Sequence, residues 1–140
     1  TNDGFDCTVY PTNCTMIQTE IAESRAPIMV ERNVAPNSAG KGKYRGGAGQ
    51  YVKITSLSSS PLNFSFRPNF VKNKAKGLNG GEDGGSAKIL INGKKQKTDP
   101  VVINKNEYVE VTTAGGGGIG SYKERQTIKK KEDRINKILL

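Results

Sequence analysis

Two glycine-rich runs constrain the fold of this chain more than any other feature. The first is GKGKYRGGAG at residues 40–49, and the second is GGGGIG at residues 115–120. Because glycine lacks a Cβ, it tolerates positive φ and close backbone approach, but it adds no side chain to a hydrophobic core. We predict that the first run is a shaped turn between antiparallel strands. For the second run we predict either close backbone packing or close approach to a ligand.

Neither run fits a nucleotide-binding motif. A Walker loop requires G-x4-G-K-[ST] between a strand and a helix, whereas Lys43 is followed by Tyr44 and the run leads into a strand. A dinucleotide fingerprint requires a βαβ context and an acidic residue about 20 residues later, and that residue would fall inside the C-terminal tail. We therefore expect no nucleotide to bind at either run.

The chain is lean in core-forming residues and strongly basic. Its 140 residues suffice for one ordinary domain, but only 34% of them are hydrophobic and none is tryptophan. We expect a modest core that relies on surface from a partner. The formal net charge of +9 would attract nucleic acid or an anionic membrane. Most lysines, however, lie in turns and in the C-terminal tail, which favours a solvated basic surface.

Short segments of alternating polarity predict a mainly β fold of the α+β class, with antiparallel strands joined by glycine-rich loops. Asn92-Gly93 is a strong signal for a two-residue hairpin. The strand after it is entirely polar, so we expect it at an exposed sheet edge. The predicted strands cover residues 28–34, 51–57, 62–66, 87–91, 94–97, 101–103 and 108–112.

Two helices complete the predicted fold. A short N-terminal helix spans residues 15–24, with Thr15 as its N-cap and Pro27 as its stop. A C-terminal amphipathic helix spans residues 121–140, with lysines outside an apolar stripe. We predict a β-rich domain over residues 1–120 and a helical tail over the remainder. The stripe consists of Ile128, Ile135, Ile138 and Leu139.

Residue types and spacing predict no complete catalytic or metal site. Cys7 and Cys14 are the only cysteines and histidine is absent, so neither a zinc site nor a cysteine–histidine pair can be completed within this chain. A disulfide between them is geometrically possible, but two reduced thiols fit this composition better. Arg67 emerges from an apolar strand into a long polar loop, where it could bind an anion or clamp loop carbonyls.

The sequence lacks the marks of membrane insertion and of export. It contains no run of about 18 apolar residues, and no charged-then-apolar leader opens it. We therefore expect a cytoplasmic protein with no membrane partner. The first residue, Thr1, is not methionine, which suggests a segment of something longer.

Six short motifs, taken together and in order, resemble the C-terminal region of the hydantoinase B / 5-oxoprolinase family. Each is weak alone, but the ordered set covers nearly the whole chain. The motifs are D-C-x3-P-T-N-C (6–14), E-x2-E-S-R-A-P (20–27), V-E-R (30–32), P-N-S-A-G-K-G-K-Y-R-G-G-A-G (36–49), G-L-N-G-G-E-D-G (77–84) and G-G-G-G-I-G (115–120).

The resemblance implies part of a large subunit that works with an ATP-binding hydantoinase A-like subunit. Together such subunits open cyclic amides with ATP hydrolysis, and relatives carboxylate ketones. ATP and a divalent metal belong to the complete enzyme, whose metal ligands include histidines from the N-terminal part. This chain has no histidine, so no catalytic, cofactor or metal residue is assigned to it. It departs from the family pattern at Met16-Ile17, in the lysine-rich segment 69–76 and at Ser121.

The resemblance therefore predicts a C-terminal fragment, or split-gene product, of a B-type subunit that is not catalytic alone. Its expected partners are the N-terminal portion of that subunit and the A-like subunit. The alternatives are a basic nucleic-acid-binding module, suggested by the net charge, and a non-functional remnant; nucleic acid is the less favoured partner. The candidate structural or partner contacts are Asp6, Cys7, Asn13, Glu31, Arg45 and Arg67.

Overall fold

The computed structural model describes residues 2–8, 17–66, 70–95 and 100–140. It contains a five-stranded antiparallel sheet, a two-stranded sheet and two α-helices, which confirms the predicted α+β class. In chain order the elements are α1 (Thr19–Arg25), β1 (Ile28–Val34), β2 (Gln50–Ser56), β3 (Leu62–Phe64), β4 (Lys88–Ile91), β5 (Lys94–Lys95), β6 (Val101–Ile103), β7 (Tyr108–Thr112), a 3₁₀ turn (Tyr122–Glu124) and α2 (Thr127–Ile135).

The larger sheet has the strand order β1-β2-β7-β4-β5, and β3 pairs with β6 in the smaller sheet. The two sheets enclose an apolar cluster because their strands alternate inward and outward side chains. Val101, Ile103 and Val109 are its buried members, and β-branched residues of this kind suit a pleated surface. The core is small, as the composition predicts.

The predicted strands agree closely with the observed ones. β1, β6 and β7 have the predicted bounds, whereas β2 begins and ends one residue earlier, β3 is shorter and β4 begins one residue later. The hairpin at Asn92-Gly93 is confirmed, and both residues have positive φ, 47° and 75°, as a type I′ turn requires. β5 is exposed, and residues 96 and 97 of the predicted arm lie outside the described residues.

Both predicted helices exist, but both are shorter. α1 follows Gln18 rather than the predicted cap Thr15, which lies outside the described residues. In the C-terminal region, Ser121 caps the 3₁₀ turn, and extended backbone at Gln126 separates that turn from α2. The helix ends at Ile135 with Asn136 as its C-cap, and Lys137 then adopts a positive φ of 54°.

The predicted apolar stripe is wrong at half of its positions. Ile128 and Ile135 are 64% and 78% exposed, so α2 does not bury an isoleucine face. The buried residue of α2 is Asp133. Ile138 and Leu139 are buried as predicted, but they lie beyond the helix and pack against two alanines, Ala39 and Ala48. This contact joins the C-terminal segment to the rest of the chain; the predicted domain division at residue 120 stays a prediction.

Candidate functional site

Three glycine-rich segments meet at one end of the larger sheet. The strand register explains this, since Val34 pairs with Gln50, and Thr112 pairs with both Tyr51 and Lys88. One segment links β1 to β2, another precedes β4 and the third follows β7, so all three leave the sheet at the same end of the strands. We call residues 38–49, 75–85 and 115–120 the glycine layer.

The segments of the glycine layer are joined by backbone hydrogen bonds. Gly40 N donates to Gly116 O at 2.8 Å, and Gly116 N donates to Gly47 O at 2.9 Å. Gly118 N donates to Glu82 O at 2.9 Å. Backbone groups of irregular segments are thereby satisfied without a regular strand ladder, which is what allows such segments to be buried.

The spacing of the layer explains its glycine content. A Cβ on Gly46 would lie closer than 3.0 Å to the carbonyl of Gly116, and a Cβ on Gly118 would do the same at Lys41 O. The opposing atoms are backbone, so they cannot move aside as a flexible side chain can. Close backbone packing, predicted for the second run, is confirmed. The first run is likewise a shaped connection between antiparallel strands.

The amides of the layer are not arranged as a phosphate cradle. A phosphate-binding loop presents several free N–H groups toward the ligand. In the glycine layer the N–H groups of Gly40, Gly46, Gly116 and Gly118 each donate to a backbone carbonyl, at 2.8 to 3.0 Å. These four donors are therefore already engaged, and the layer is a structural element.

Arg45, from the first glycine run, lies between two aspartates. Its terminal nitrogens donate to both oxygens of Asp6, at 2.6 and 2.8 Å, and its Nε donates to Asp133 Oδ1 at 3.0 Å. The carboxylate of Asp6 also accepts from Ala48 N at 2.7 Å. A planar guanidinium suits this paired geometry better than an ammonium group does.

Arg125 repeats the arrangement from the other side of Asp133. It donates to both oxygens of Asp3, at 2.7 and 3.1 Å, and to both oxygens of Asp133, at 3.0 and 2.9 Å. Its side chain is almost completely buried. The arginine–aspartate cluster joins the N-terminal segment, the first glycine run, the 3₁₀ turn and α2; its members are Asp3, Asp6, Arg45, Arg125 and Asp133.

The electrostatics of the cluster keep Asp3 and both arginines charged. Burial opposes a charged guanidinium, but hydrogen bonds and charges from Asp6 and Asp133 raise the pKa of Arg45. Burial would also raise the pKa of Asp3, yet Arg125, the Arg45 N–H and Lys129 together lower it to about 2. Asp3, Arg45 and Arg125 therefore stay charged near neutral pH, which suits them to holding chain segments together through ion pairs.

Cys7 lies beside this cluster on the N-terminal segment. Its N–H donates to Ala48 O at 2.8 Å and its thiol donates to Gly49 O at 3.7 Å. Burial, with a smaller contribution from Asp6, raises the pKa of the thiol. A thiol with a raised pKa is a poor nucleophile at neutral pH.

Glu31 does not converge with this cluster. Glu31 pairs with Lys53 at 3.1 Å on the outer face of the sheet, and the Lys53 ammonium lies 4.9 Å from the ring centroid of Tyr108. Asn13 and Arg67 lie outside the described residues. The partner contacts predicted for all six residues stay predictions.

Sequence reasoning missed Asp3, Arg125 and Asp133. Asp133 stands in the run KKKEDR, where charged residues are indistinguishable from those of a solvated helix face. Arg125 follows a run of glycine and polar residues, with no apolar neighbour to suggest burial. Only the tertiary arrangement places the two side chains together, because the pairs they make span up to 122 residues.

A surface cavity of about 330 Å³ opens beside the glycine layer, and its lining carries Lys41, Lys74, Glu82 and Asp83, which together select neither an anion nor a cation. Within the described ranges, no three histidine, cysteine, aspartate or glutamate side chains converge as metal ligands. No helix among these residues is long and apolar enough to span a membrane.

A solved structure has the same fold. It is described as nucleotide-free acetone carboxylase, from work on ATP-dependent acetone carboxylation, and it superposes with a TM-score of 0.72. The match covers 99% of this chain and 24% of that one, at 18% sequence identity. The likeness shows the fold of this chain, and the matched region is about a quarter of that larger chain.

The chain belongs to the Hydantoinase B/oxoprolinase family, whose profile matches residues 1–122. This confirms the resemblance carried by the six motifs. An uncharacterized protein of Methanocaldococcus jannaschii is 36% identical over 112 residues, which are 76% of this chain and 20% of the relative. The 5-oxoprolinase 1 of Arabidopsis thaliana is 32% identical over 125 residues, which are 84% of this chain and 10% of that protein. The chain thus spans a fifth or less of these relatives.

Proposed function

We propose that this chain is the C-terminal portion of a B-type subunit of an ATP-dependent cyclic amide hydrolase, of the hydantoinase/5-oxoprolinase kind. It is not catalytic alone. Its partners are the N-terminal portion of the subunit and a hydantoinase A-like ATP-binding subunit, and the assembly is cytoplasmic.

One observation carries the proposal. The alignment with 5-oxoprolinase 1 takes in 84% of this chain but only 10% of that enzyme, so the chain corresponds to one module of such a protein. The fold supports the same conclusion, because the acetone carboxylase chain contains this module as 24% of its length.

The chemistry of the described residues supports a structural role for this module. They contain no group of metal ligands, and the glycine layer uses its amides internally. We propose that ATP and a divalent metal bind to other parts of the complete enzyme. The glycine layer and the arginine–aspartate cluster instead make a rigid body that can hold a shaped surface against its partners.

The proposal is tested by reconstitution. The reading frame immediately upstream is expressed with and without this chain, together with an A-like subunit, and ATP hydrolysis dependent on 5-oxoproline or hydantoin is measured. We expect activity only when all parts are present, and none from this chain alone. Robust activity of the isolated chain, or full activity of the other parts without it, would overturn the proposal.

A further inference from the structure

Three apolar side chains form a row on the surface of the glycine layer. Tyr44 and Ile119 exchange two backbone hydrogen bonds, at 3.0 and 2.8 Å, as a directly opposed antiparallel pair. On the other side, Leu78 forms a parallel bridge to Ile119, through Leu78 N to Gly118 O and Gly120 N to Leu78 O. Bridged residues project their side chains to the same face, so the three stand side by side.

The row is exposed and rigid. Leu78 is 58% exposed and Ile119 is 41% exposed, although Ile119 is hydrogen-bonded to neighbouring segments on both sides and Leu78 to one of them. Three neighbouring segments spaced about 4.8 Å apart place the outer members roughly 10 Å from each other. A contiguous apolar strip on fixed backbone differs from the scattered single apolar residues that any surface carries, and marks a contact surface.

The local structure does not require leucine at position 78. The turn after it is set by Asn79 and Gly80, with φ of 49° and 87°, and it is closed by Gly81 N donating to Leu78 O at 3.0 Å. This is the type I′ geometry, whose demands fall on the two central residues. Asp83 steadies the same loop by accepting from Gly77 N at 3.0 Å and Lys76 Nζ at 2.8 Å. The turn therefore presents Leu78 and gains nothing from its side chain.

Lysines border the row. The Lys129 ammonium lies 5.9 Å from the ring centroid of Tyr44 and pairs with Asp3 at 3.4 Å, and Lys43 pairs with Glu124 at 3.1 Å. Both lysines therefore already have acidic partners within the chain. The whole chain carries a formal net charge of +9. A partner surface that fits this strip has apolar side chains at its centre.

We infer that the row Tyr44–Ile119–Leu78 is the surface on which the larger remaining portion of the B-type subunit docks, through an apolar segment. The inference rests on the proposed function. The choice of docking partner follows from the lengths of the relatives. Most of each relative lies outside the stretch that matches this chain, and that remainder must share a surface with this module.

The test measures binding between this chain and the upstream-encoded portion of the subunit, each expressed separately and titrated by biolayer interferometry. The variants are Leu78→Asp and Ile119→Asp, which add charge to the row. The control is Val102→Asp, because Val102 is 54% exposed but lies on β6 in the other sheet. Far-UV circular dichroism and thermal unfolding verify that each variant folds as the wild type does.

We expect the two row variants to weaken binding by about tenfold or more, since apolar contacts at the centre of an interface dominate affinity, and the control to bind as the wild type does. Wild-type binding that the row variants leave unchanged overturns this surface while leaving the proposed function intact. No binding by the wild type overturns the proposed function and this inference with it. Loss of self-association by the row variants, with binding to the larger portion unchanged, would assign the surface to a second copy of the chain and overturn the inference.

Discussion

Arg45 Nε lies 3.0 Å from Asp133 Oδ1, which joins two residues 88 positions apart in the sequence. The contact ties the first glycine run to the C-terminal helix, whose apolar residues do not pack as a stripe. Asp133 also forms an ion pair with Arg125, so one buried carboxylate balances the charge of two guanidinium groups. The C-terminal segment is therefore held by charge as well as by Ile138 and Leu139.

Replacing Asp133 tests this relationship. In Asp133→Asn, Arg45 and Arg125 lose a shared counter-charge in a buried position, so we expect the free energy of unfolding to fall by about 3–5 kcal/mol. The adjacent exposed change Glu132→Gln is the control and should shift it by less than about 0.5 kcal/mol. Urea denaturation followed by circular dichroism measures both, and equal stability of the two variants would contradict a structural role for the cluster.

The spacing of the glycine layer predicts that alanine substitution destabilises the protein much more at one of two facing glycines than at the other. A Cβ on Gly46 would meet the carbonyl of Gly116, whereas a Cβ on Gly116 has no neighbour closer than 3.3 Å. We expect Gly46→Ala to lower the free energy of unfolding by about 3 kcal/mol and Gly116→Ala by about 1 kcal/mol or less. Thermal and urea unfolding compare the two. Similar losses would mean that the layer is looser than its hydrogen bonds indicate.

Asp3 predicts an acid-dependent loss of stability. Its pKa in the folded protein is about 2, below its ordinary value of 3.8, because Arg125 and the Arg45 N–H favour the carboxylate. A lowered pKa contributes stability that is present above pH 3.8 and is lost as the pH falls toward 2. We expect the difference in unfolding free energy between wild type and Asp3→Asn to shrink over this window. Urea unfolding at pH 7, 4 and 3 measures it, and a constant difference would contradict the pairing.

The environment of Tyr51 predicts that stability depends on pH in the alkaline range. Burial, followed by its 2.7 Å hydrogen bond to Glu110, raises the pKa of Tyr51 from 10.0 to about 12. A raised pKa contributes stability that is present below pH 10 and is lost as the pH rises toward 12. In Glu110→Gln the charge is removed, so the pKa of Tyr51 should fall toward 10. Absorbance titration at 295 nm, with Tyr51→Phe subtracted, follows this group, and an unchanged midpoint would contradict the contribution of Glu110.

Local sequence patterns predicted those strands and turns whose formation depends on neighbouring residues alone. The alternation of residues 28–34 and 108–112 gave β1 and β7 with correct bounds, and Asn92-Gly93 located the hairpin. These features depend on side-chain period and on φ preferences of single residues, which a sequence states directly.

The C-terminal region was less predictable. Helical spacing of apolar residues suggested one helix over residues 121–140. The observed α2 has only nine residues, because the backbone is extended before it at Gln126 and has a positive φ after it at Lys137. Whether a helix continues depends on what its next turn would bury, and here the tail turns away so that Ile138 and Leu139 reach Ala39 and Ala48.

The sequence by itself determined the strands, the hairpin, the scarcity of core residues and, through six ordered motifs, the family. Only the tertiary structure decided which glycines face each other and which charged residues are buried. Asp133 and its neighbour Glu132 are equivalent in a local pattern, yet one lies between two arginines and the other lies in solvent. The physical reason is that a charge can be buried only beside oppositely charged partners, and here those partners lie far along the chain. The register of the sheet brings them close, because it gathers the glycine segments at one end of the strands.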